Sequence, residues 1–203
     1  MMEKDSTALI IFVKNPIKGH VKTRLAKDIG DENALEVYLY LMNHTREVAK
    51  SLKVTRNLFY DTTILENDDW SSADFDKYLQ YNGDLGERMA FAFKETFAQG
   101  FKKVVIVGSD CPYLDPFIVN KAYEKLEKSD VVIGPTFDGG YYMLGMTGFI
   151  PELFQKVPWS TEEVFETTKG IIESLGKTIA LMPLLSDVDH KEDLVGPLEK
   201  YRI

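Results

Sequence analysis

Between Phe12 and Ala26 the sequence reads FVKNPIKGHVKTRLA. It gathers four cations, Lys14, Lys18, Lys22 and Arg24, separated by Pro16 and Gly19 and with no acid among them. The chain as a whole is acidic, with a formal net charge of −8, so these cations point to a local anion. A cation-rich, glycine-containing loop between a strand and a helix is suited to phosphate, which it neutralises with side chains and backbone N–H groups. The Walker A pattern is one such loop, but it sets a glycine directly before the Lys-Ser/Thr pair. Here Gly19 is two residues removed from Lys22-Thr23, and the P-loop ATPase reading fails. Lys22 and Arg24 are expected to neutralise a di- or triphosphate, with Arg24 able to make a two-pronged contact.

A second place for chemistry is VVIVGSDCPYLDP. Asp110 follows an apolar strand by two residues, where a fixed carboxylate opposite a basic loop makes a good Mg²⁺ ligand. Asp115, directly before Pro116, is the better helix cap, which leaves Asp110 free. Cys111 is the only cysteine and has no histidine near it in sequence; it reads as a small buried residue, not a nucleophile. A third place is GPTFDGGYYMLG. Asp138, Gly139 and Gly140 there suit either a hairpin turn or a close backbone approach to a ligand. Tyr141 and Tyr142 follow on alternate faces of a strand, so one of the two is expected at the site. Trp159 suits a hydrophobic staple as well as substrate stacking. His20, His44 and His190 show no metal-ligand spacing, and His44 falls within a helix.

Positioning these groups requires strands that end at the loops carrying them. Apolar or β-branched runs predict strands over Thr7–Val13, Thr55–Tyr60, Val104–Gly108, Val131–Gly134, Tyr141–Gly145 and Thr178–Met182, with a shorter one over Lys77–Tyr81. Helices are predicted from Glu32 to Lys53 with Asp31 as cap, from Asp84 with Glu87 as capping-box partner to Gly100, and from Asp115-Pro116. Two more are predicted from the Ser160/Glu163 pair to Gly176 and from about His190 to Tyr201. This alternation gives a three-layer α/β sandwich with a mainly parallel sheet, whose ligands bind beyond the carboxyl ends of the strands.

The 203 residues suit a single domain over the whole chain, 1–203. The acidic balance argues against general nucleic-acid or anionic-membrane binding. With 44% hydrophobic and 12% aromatic residues the chain can bury a proper core. One cysteine allows no intrachain disulfide and fits a reducing cytoplasm. No apolar run approaches the ~20 residues of a membrane helix, and acids before a short apolar run make MMEKDSTALIIFVK unlike a signal peptide.

The segments FVKNPIKGHVKTRLA, GDLGERM, GSDCPYL, GPTFDGGYYMLG, WSTEEVFETT and DVDHKEDL follow one another from residue 12 to 194. Together they resemble a bacterial family of nucleotide-diphospho-sugar transferase-like proteins, of the arsenosugar-biosynthesis glycosyltransferase type. That family lies within the GT-A superfamily, alongside guanylyl-, cytidylyl- and molybdopterin-cofactor nucleotidyltransferases. The resemblance implies that Lys14, Lys22 and Arg24 hold the phosphates and that Gly86 and Arg88 sit near the nucleobase. It also implies that Asp110 and Asp189 bind Mg²⁺ or Mn²⁺. Two departures are visible. The last motif reads Asp-His-Lys-Glu-Asp from Asp189, where the familiar form is Asp-Thr-Pro-Glu-Asp. Asp189 could then cap a helix with Glu192 as partner and leave Asp187 as the ligand. Asp110 is followed by Cys111 and Pro112, where glycosyltransferases of this fold commonly carry Asp-x-Asp. The function implied is glycosyl transfer from a nucleotide sugar. Nucleotidyl transfer with release of pyrophosphate and a non-catalytic nucleotide-binding module are the alternatives.

Overall fold

The computed structural model describes residues 6–202; Glu3 and Asp5, the acids ahead of the first apolar run, lie outside it. The apolar runs become strands because their residues are buried on both faces of one sheet. In β1, Thr7–Val13, Leu9, Ile11 and Val13 enter one core while Ala8 and Ile10 enter the other. The remaining strands are β2 (Thr55–Tyr60), β3 (Asp76–Leu79), β4 (Lys103–Val107), β5 (Val131–Pro135), β6 (Tyr141–Met146) and β7 (Ile179–Leu181). They form a seven-stranded sheet in the order β3-β2-β1-β4-β6-β5-β7. Only β6 runs against its neighbours among the described strands.

Helices cover both faces. Tyr38 and Met42 of α2 (Asp31–Ser51) and Val119 and Ala122 of α4 (Pro116–Lys125) pack on one side. Met89, Ala92 and Phe93 of α3 (Leu85–Ala98) and Ile172 of α5 (Val164–Ser174) pack on the other. The expected three layers are present. The capping box of α3 forms as read, with Asp84 accepting from the Glu87 N–H at 2.9 Å and the Glu87 carboxylate accepting from the Asp84 N–H at 2.9 Å. Asp115 caps α4 by accepting from the Ile118 N–H at 2.7 Å.

Four expectations about the elements are corrected. A short helix, α1 (Thr23–Ile29), follows the basic loop and stops at Gly30, whose φ of 81° turns the chain directly into α2. Gly30 therefore occupies the cap position, and Asp31 is a first-turn acid without a capping role. Ser160 has a φ of 66° and lies in a turn, so α5 begins only at Val164 and the Ser160/Glu163 box does not form. The stretch from His190 to Tyr201 is not one helix but two 3-10 turns, Lys191–Asp193 and Gly196–Tyr201. Gly196 at φ 54° and Pro197 break it. That tail still packs: Val188, Leu194, Leu198 and Tyr201 share a small core with Leu25 of α1 and Val37 and Leu41 of α2.

Candidate functional site

The basic loop leaves β1 at Val13 and is pinned at once. The Lys14 N–H donates to the Tyr38 hydroxyl at 2.7 Å, and that hydroxyl donates to the Lys14 carbonyl at 3.0 Å. Asn15 ties the loop to the end of β2. Its amide donates to the Thr63 carbonyl at 2.8 Å, and its Oδ1 accepts from Thr62 and Thr63 backbone N–H groups at 3.2 and 3.1 Å. These contacts fix where the side chains beyond them can reach.

The chain then delivers Lys22 in a left-handed conformation, φ 46°, and buries its side chain to 5% exposure. A buried ammonium is costly unless paired. Its Nζ lies 3.1 Å from an Asp110 oxygen and 3.4 Å from an Asp189 oxygen. Arg24 reaches the other Asp189 oxygen at 3.1 Å. Burial works against the Lys22 charge, but Asp110 and Asp189 outweigh it and hold its pKa above that of an ordinary lysine. Enclosure likewise works against the Asp110 carboxylate, and Lys22, with Lys14 behind it, prevails and holds its pKa below the usual value.

Asp187 and Asp189 are brought to Asp110 by the returning C-terminal segment. The Val188 N–H donates to the Asp110 carbonyl at 3.2 Å, and Val188 itself is fully buried. The two flanking carboxylates are thereby held next to Asp110. Asp189 does not cap the following turn, nor does Glu192 serve as its partner. Instead the Asp193 carboxylate accepts from the Asp189 and His190 N–H groups at 2.9 and 2.7 Å. Asp187 has no such relief. Its Oδ1 is buried without a hydrogen-bond partner, and burial, reinforced by the charge on Asp110, pushes its pKa up to about 8. The sequence offered Asp187 only as a substitute; the structure sets it beside Asp110 and Asp189.

These groups open on a cavity of about 630 Å³ that runs along the carboxyl ends of the sheet. Lys14, Lys22, Arg24, Arg88, Asp110, Asp138, Gly140 and Asp189 of the predicted site residues line it. Gly86 and Gly139 are not among its lining residues, and Gly139 takes the turn that was one of its two readings, its N–H donating to the Thr136 carbonyl at 3.2 Å. A Cβ on Gly86 would come within 2.3 Å of the Trp159 indole nitrogen, and one on Gly139 within 2.0 Å of the Glu162 carbonyl oxygen. Each glycine makes room for the protein itself. Trp159 accordingly lies across the N-terminus of α3 and meets Tyr141 edge-on at 6.5 Å. Tyr141 and Tyr142 do point to opposite faces, but both border the cavity, against the expectation that only one would. Asp138 accepts from Thr136 Oγ1 at 2.6 Å and from the Gly140 N–H at 3.1 Å, so the turn and the site use the same residue. Arg88 donates from Nε to the Gly83 carbonyl at 2.7 Å.

Lys18 is turned away and pairs with Glu32. Cys111 is buried, and burial first, then Asp187, pushes its thiol up to about 12, which excludes a thiolate nucleophile. His44 lies on α2 against the Leu114 carbonyl at 2.7 Å. Sequence reading missed Asp61 and Gln80 as cavity residues. Both directly follow a strand, β2 and β3 respectively, which was the available signal.

Comparison with known proteins gives concordant findings. Residues 44–161 match the family described as "Uncharacterized protein conserved in bacteria (DUF2064)". Among solved structures, a provisionally assigned nucleotide-diphospho-sugar transferase from Desulfovibrio desulfuricans G20 is 30% identical, over 94% of this chain and 85% of that one, with a TM-score of 0.87. A nucleotidyl transferase from Methanothermobacter, 13% identical over 96% and 97% of the two chains, has a TM-score of 0.63. A CMP:2-keto-3-deoxy-manno-octonic acid synthetase complexed with CTP, 11% identical over 97% and 96%, has a TM-score of 0.60. At 13% and 11% identity the last two establish a shared fold. No curated protein matches the chain. No helix among the described residues is long and apolar enough to cross a membrane.

Proposed function

The chain belongs to the bacterial DUF2064 family, and from that premise we propose that it is a divalent-metal-dependent transferase acting on a nucleotide-diphospho-sugar. The observation that carries this reading is the Lys22 ammonium held between Asp110 and Asp189 beside the unpartnered Asp187 oxygen. Three carboxylates converge on the phosphate end of a nucleotide-sized cavity, and one of them lacks any partner.

The donor set fits Mg²⁺ or Mn²⁺. Among the described residues no three acidic, cysteine or histidine side chains form a ready-made metal cage. Mg²⁺ seldom needs one, since it commonly takes one or two carboxylates and completes its shell with waters and phosphate oxygens. Asp110 and Asp189 would hold it, and Asp187 supplies a third carboxylate that gains from added positive charge. When bound, the ion would neutralise charge on the departing diphosphate. Lys14 lines the same cavity and forms no ion pair among the described residues, so it is available to the phosphates at once. Lys22 and Arg24 are preorganised by their carboxylates and add positive charge where the diphosphate would develop negative charge. Asp138 and Gly140 line the same cavity and would border the acceptor.

The 30% identity to a provisionally assigned nucleotide-diphospho-sugar transferase favours a nucleotide sugar over a nucleoside triphosphate as donor. Of the four loop cations, Lys18 is spent outside the cavity on Glu32, and Lys22 and Arg24 are balanced by Asp110 and Asp189. The ion cluster also argues against a non-catalytic binding module, because Asp189 lies in it and not in a cap. The test is to incubate the full chain and Mg²⁺ with a panel of nucleotide sugars, and separately with nucleoside triphosphates and sugar 1-phosphates. Nucleoside diphosphate release from a sugar nucleotide is expected, falling by roughly 10²-fold or more in Asp110→Asn. Pyrophosphate release from a triphosphate would replace this reading with nucleotidyl transfer.

A further inference from the structure

The cavity has a second polar end, away from the metal-binding carboxylates, where β2 and β3 finish. We propose that this end selects guanine, so that the donor is a guanine nucleotide; the inference rests on the nucleotide-binding reading above and adds the identity of the base.

Asp61 and Gln80 line that end of the cavity and are locked to one another through a single carbonyl. The Asp61 N–H donates to the Val13 carbonyl at 3.1 Å, and the Gln80 side-chain Nε2 donates to the same oxygen at 3.2 Å. Gln80 Nε2 also donates to the Phe59 carbonyl at 3.0 Å, and the Gln80 backbone N–H donates to the Tyr60 carbonyl at 2.8 Å. Both carbonyls that meet the Gln80 side chain can only accept, so the amide must present its nitrogen to them and its Oε1 elsewhere. Gln80 is itself 8% exposed, and its Oε1 makes no hydrogen bond among the described residues. The Asp61 carboxylate gives Oδ1 to the Asn15 N–H at 2.7 Å, and its Oδ2 is likewise free.

The result is two fixed acceptors, one of them charged, each with an oxygen unsatisfied and both tied to the Val13 carbonyl. Apolar Phe12 and Leu85 line the same cavity and suit the faces of a flat ring. The nucleobases differ in what they offer two adjacent acceptors. Guanine presents two neighbouring donors, N1–H and the 2-amino group. Adenine and cytosine present one amino group beside a ring nitrogen that accepts, which an acceptor pair repels. Uracil and thymine present one N–H between two carbonyls. Guanine alone satisfies both oxygens, and Arg88, with its terminal nitrogens free on the same cavity, can donate to guanine O6 or N7.

Binding of GDP, IDP, ADP, CDP and UDP to the full chain, measured by calorimetry with and without MgCl₂, tests this. GDP is expected to bind about tenfold or more tightly than ADP, CDP or UDP, the effect of one lost hydrogen bond to a charged group. IDP, which keeps N1–H and lacks the 2-amino group, should fall between. In Asp61→Asn the amide oxygen is retained by the Asn15 N–H, so the variant's new NH₂ faces the cavity and opposes the guanine donors. GDP should then bind no better than ADP, with inorganic pyrophosphate binding unchanged. The wild-type GDP-to-IDP ratio needs no variant and decides the matter even if the variant fails to fold. Equal affinities for all five, or a ranking led by another base, overturn the guanine assignment and leave the transferase reading standing. If none of the five binds, both fall.

Discussion

Asp187 gives the sharpest thermodynamic handle on the site. In the folded, metal-free chain it keeps its proton to about pH 8, against an ordinary value of 3.8 for an unfolded chain. Between those values the folded state binds the extra proton, so stability falls as pH rises through the window. Taken whole, the shift sets a ceiling of about 6 kcal/mol. The residue is only part-buried and borders the open cavity, and screening reduces the effect to about 2–3 kcal/mol. Asp187→Asn keeps the shape and removes the titration. In EDTA the variant and the parent should unfold alike only near pH 3, below the ordinary carboxylate value, and diverge progressively above it. At pH 8.5 the variant should be more stable by about 2–3 kcal/mol, or about 5–10 °C in Tm for a chain of this size. Lys22 and Asp110 do not confuse the comparison, because their shifts lie above the ordinary lysine value and below the ordinary carboxylate value respectively. Urea or thermal unfolding across about pH 3–9 reads the difference directly. Parallel profiles for the two proteins would refute the claim that Asp187 is an uncompensated carboxylate, and with it the motive for a cation there.

Two further outcomes follow from particular contacts. Asp189→Ser removes a carboxylate whose partners are a half-exposed Arg24 and a Lys22 that retains Asp110; the melting temperature should hardly move, since an exposed pair contributes about 0–1 kcal/mol, while Mg²⁺-dependent nucleotide binding by calorimetry is lost. Unchanged binding would return the ligand role to Asp187. Gly86→Ala, which on an open helix would stabilise by about 1 kcal/mol, should instead destabilise by about 1–3 kcal/mol, because the new methyl meets the Trp159 ring; chemical denaturation measures the sign, and a gain in stability would show that the ring yields freely.

What the sequence disclosed depended on how locally each feature was determined. The strand Thr7–Val13 was legible to the residue because burial on both faces leaves a nearly unbroken apolar run, and Thr55–Tyr60 because its buried second half, Leu58 to Tyr60, is apolar and aromatic. The caps at Asp84 and Asp115 were legible because their partners lie three residues away. The Ser160/Glu163 spacing imitated such a cap, but the chain there turns through a left-handed residue to place Trp159 over Gly86. That is a tertiary demand which no local pattern records. Helix α1 was invisible for a related reason: it is seven residues long, lacks a side-chain cap and starts from Lys22. The two glycines read as ligand contacts illustrate the limit from the other direction. A missing Cβ announces a close approach, not whose atoms approach. Asp187 was read only as a substitute for Asp189, although Asp-Val-Asp with the valine buried puts both acids on the same side of an extended segment, opposite the valine.

Lys22 links these observations. A non-glycine residue at positive φ is strained by roughly 1–2 kcal/mol, and burying its ammonium adds to that cost. Both are tolerated because Asp110, Asp187 and Asp189 would otherwise converge without a counter-charge, a worse arrangement than a strained lysine. In the metal-free protein Lys22 is therefore the internal counter-ion of the site. Its one positive charge balances Asp110 and leaves Asp189 to share with Arg24, while Asp187 stays protonated up to about pH 8. The cluster is thus short of positive charge by about the amount that keeps one carboxylate neutral. A dication and a diphosphate entering together would supply that charge and the anion to accompany it. This is why the basic loop of an acidic chain is held in place by acids: the carboxylates that take up its cations before a ligand arrives are the ones proposed to hold the metal afterwards.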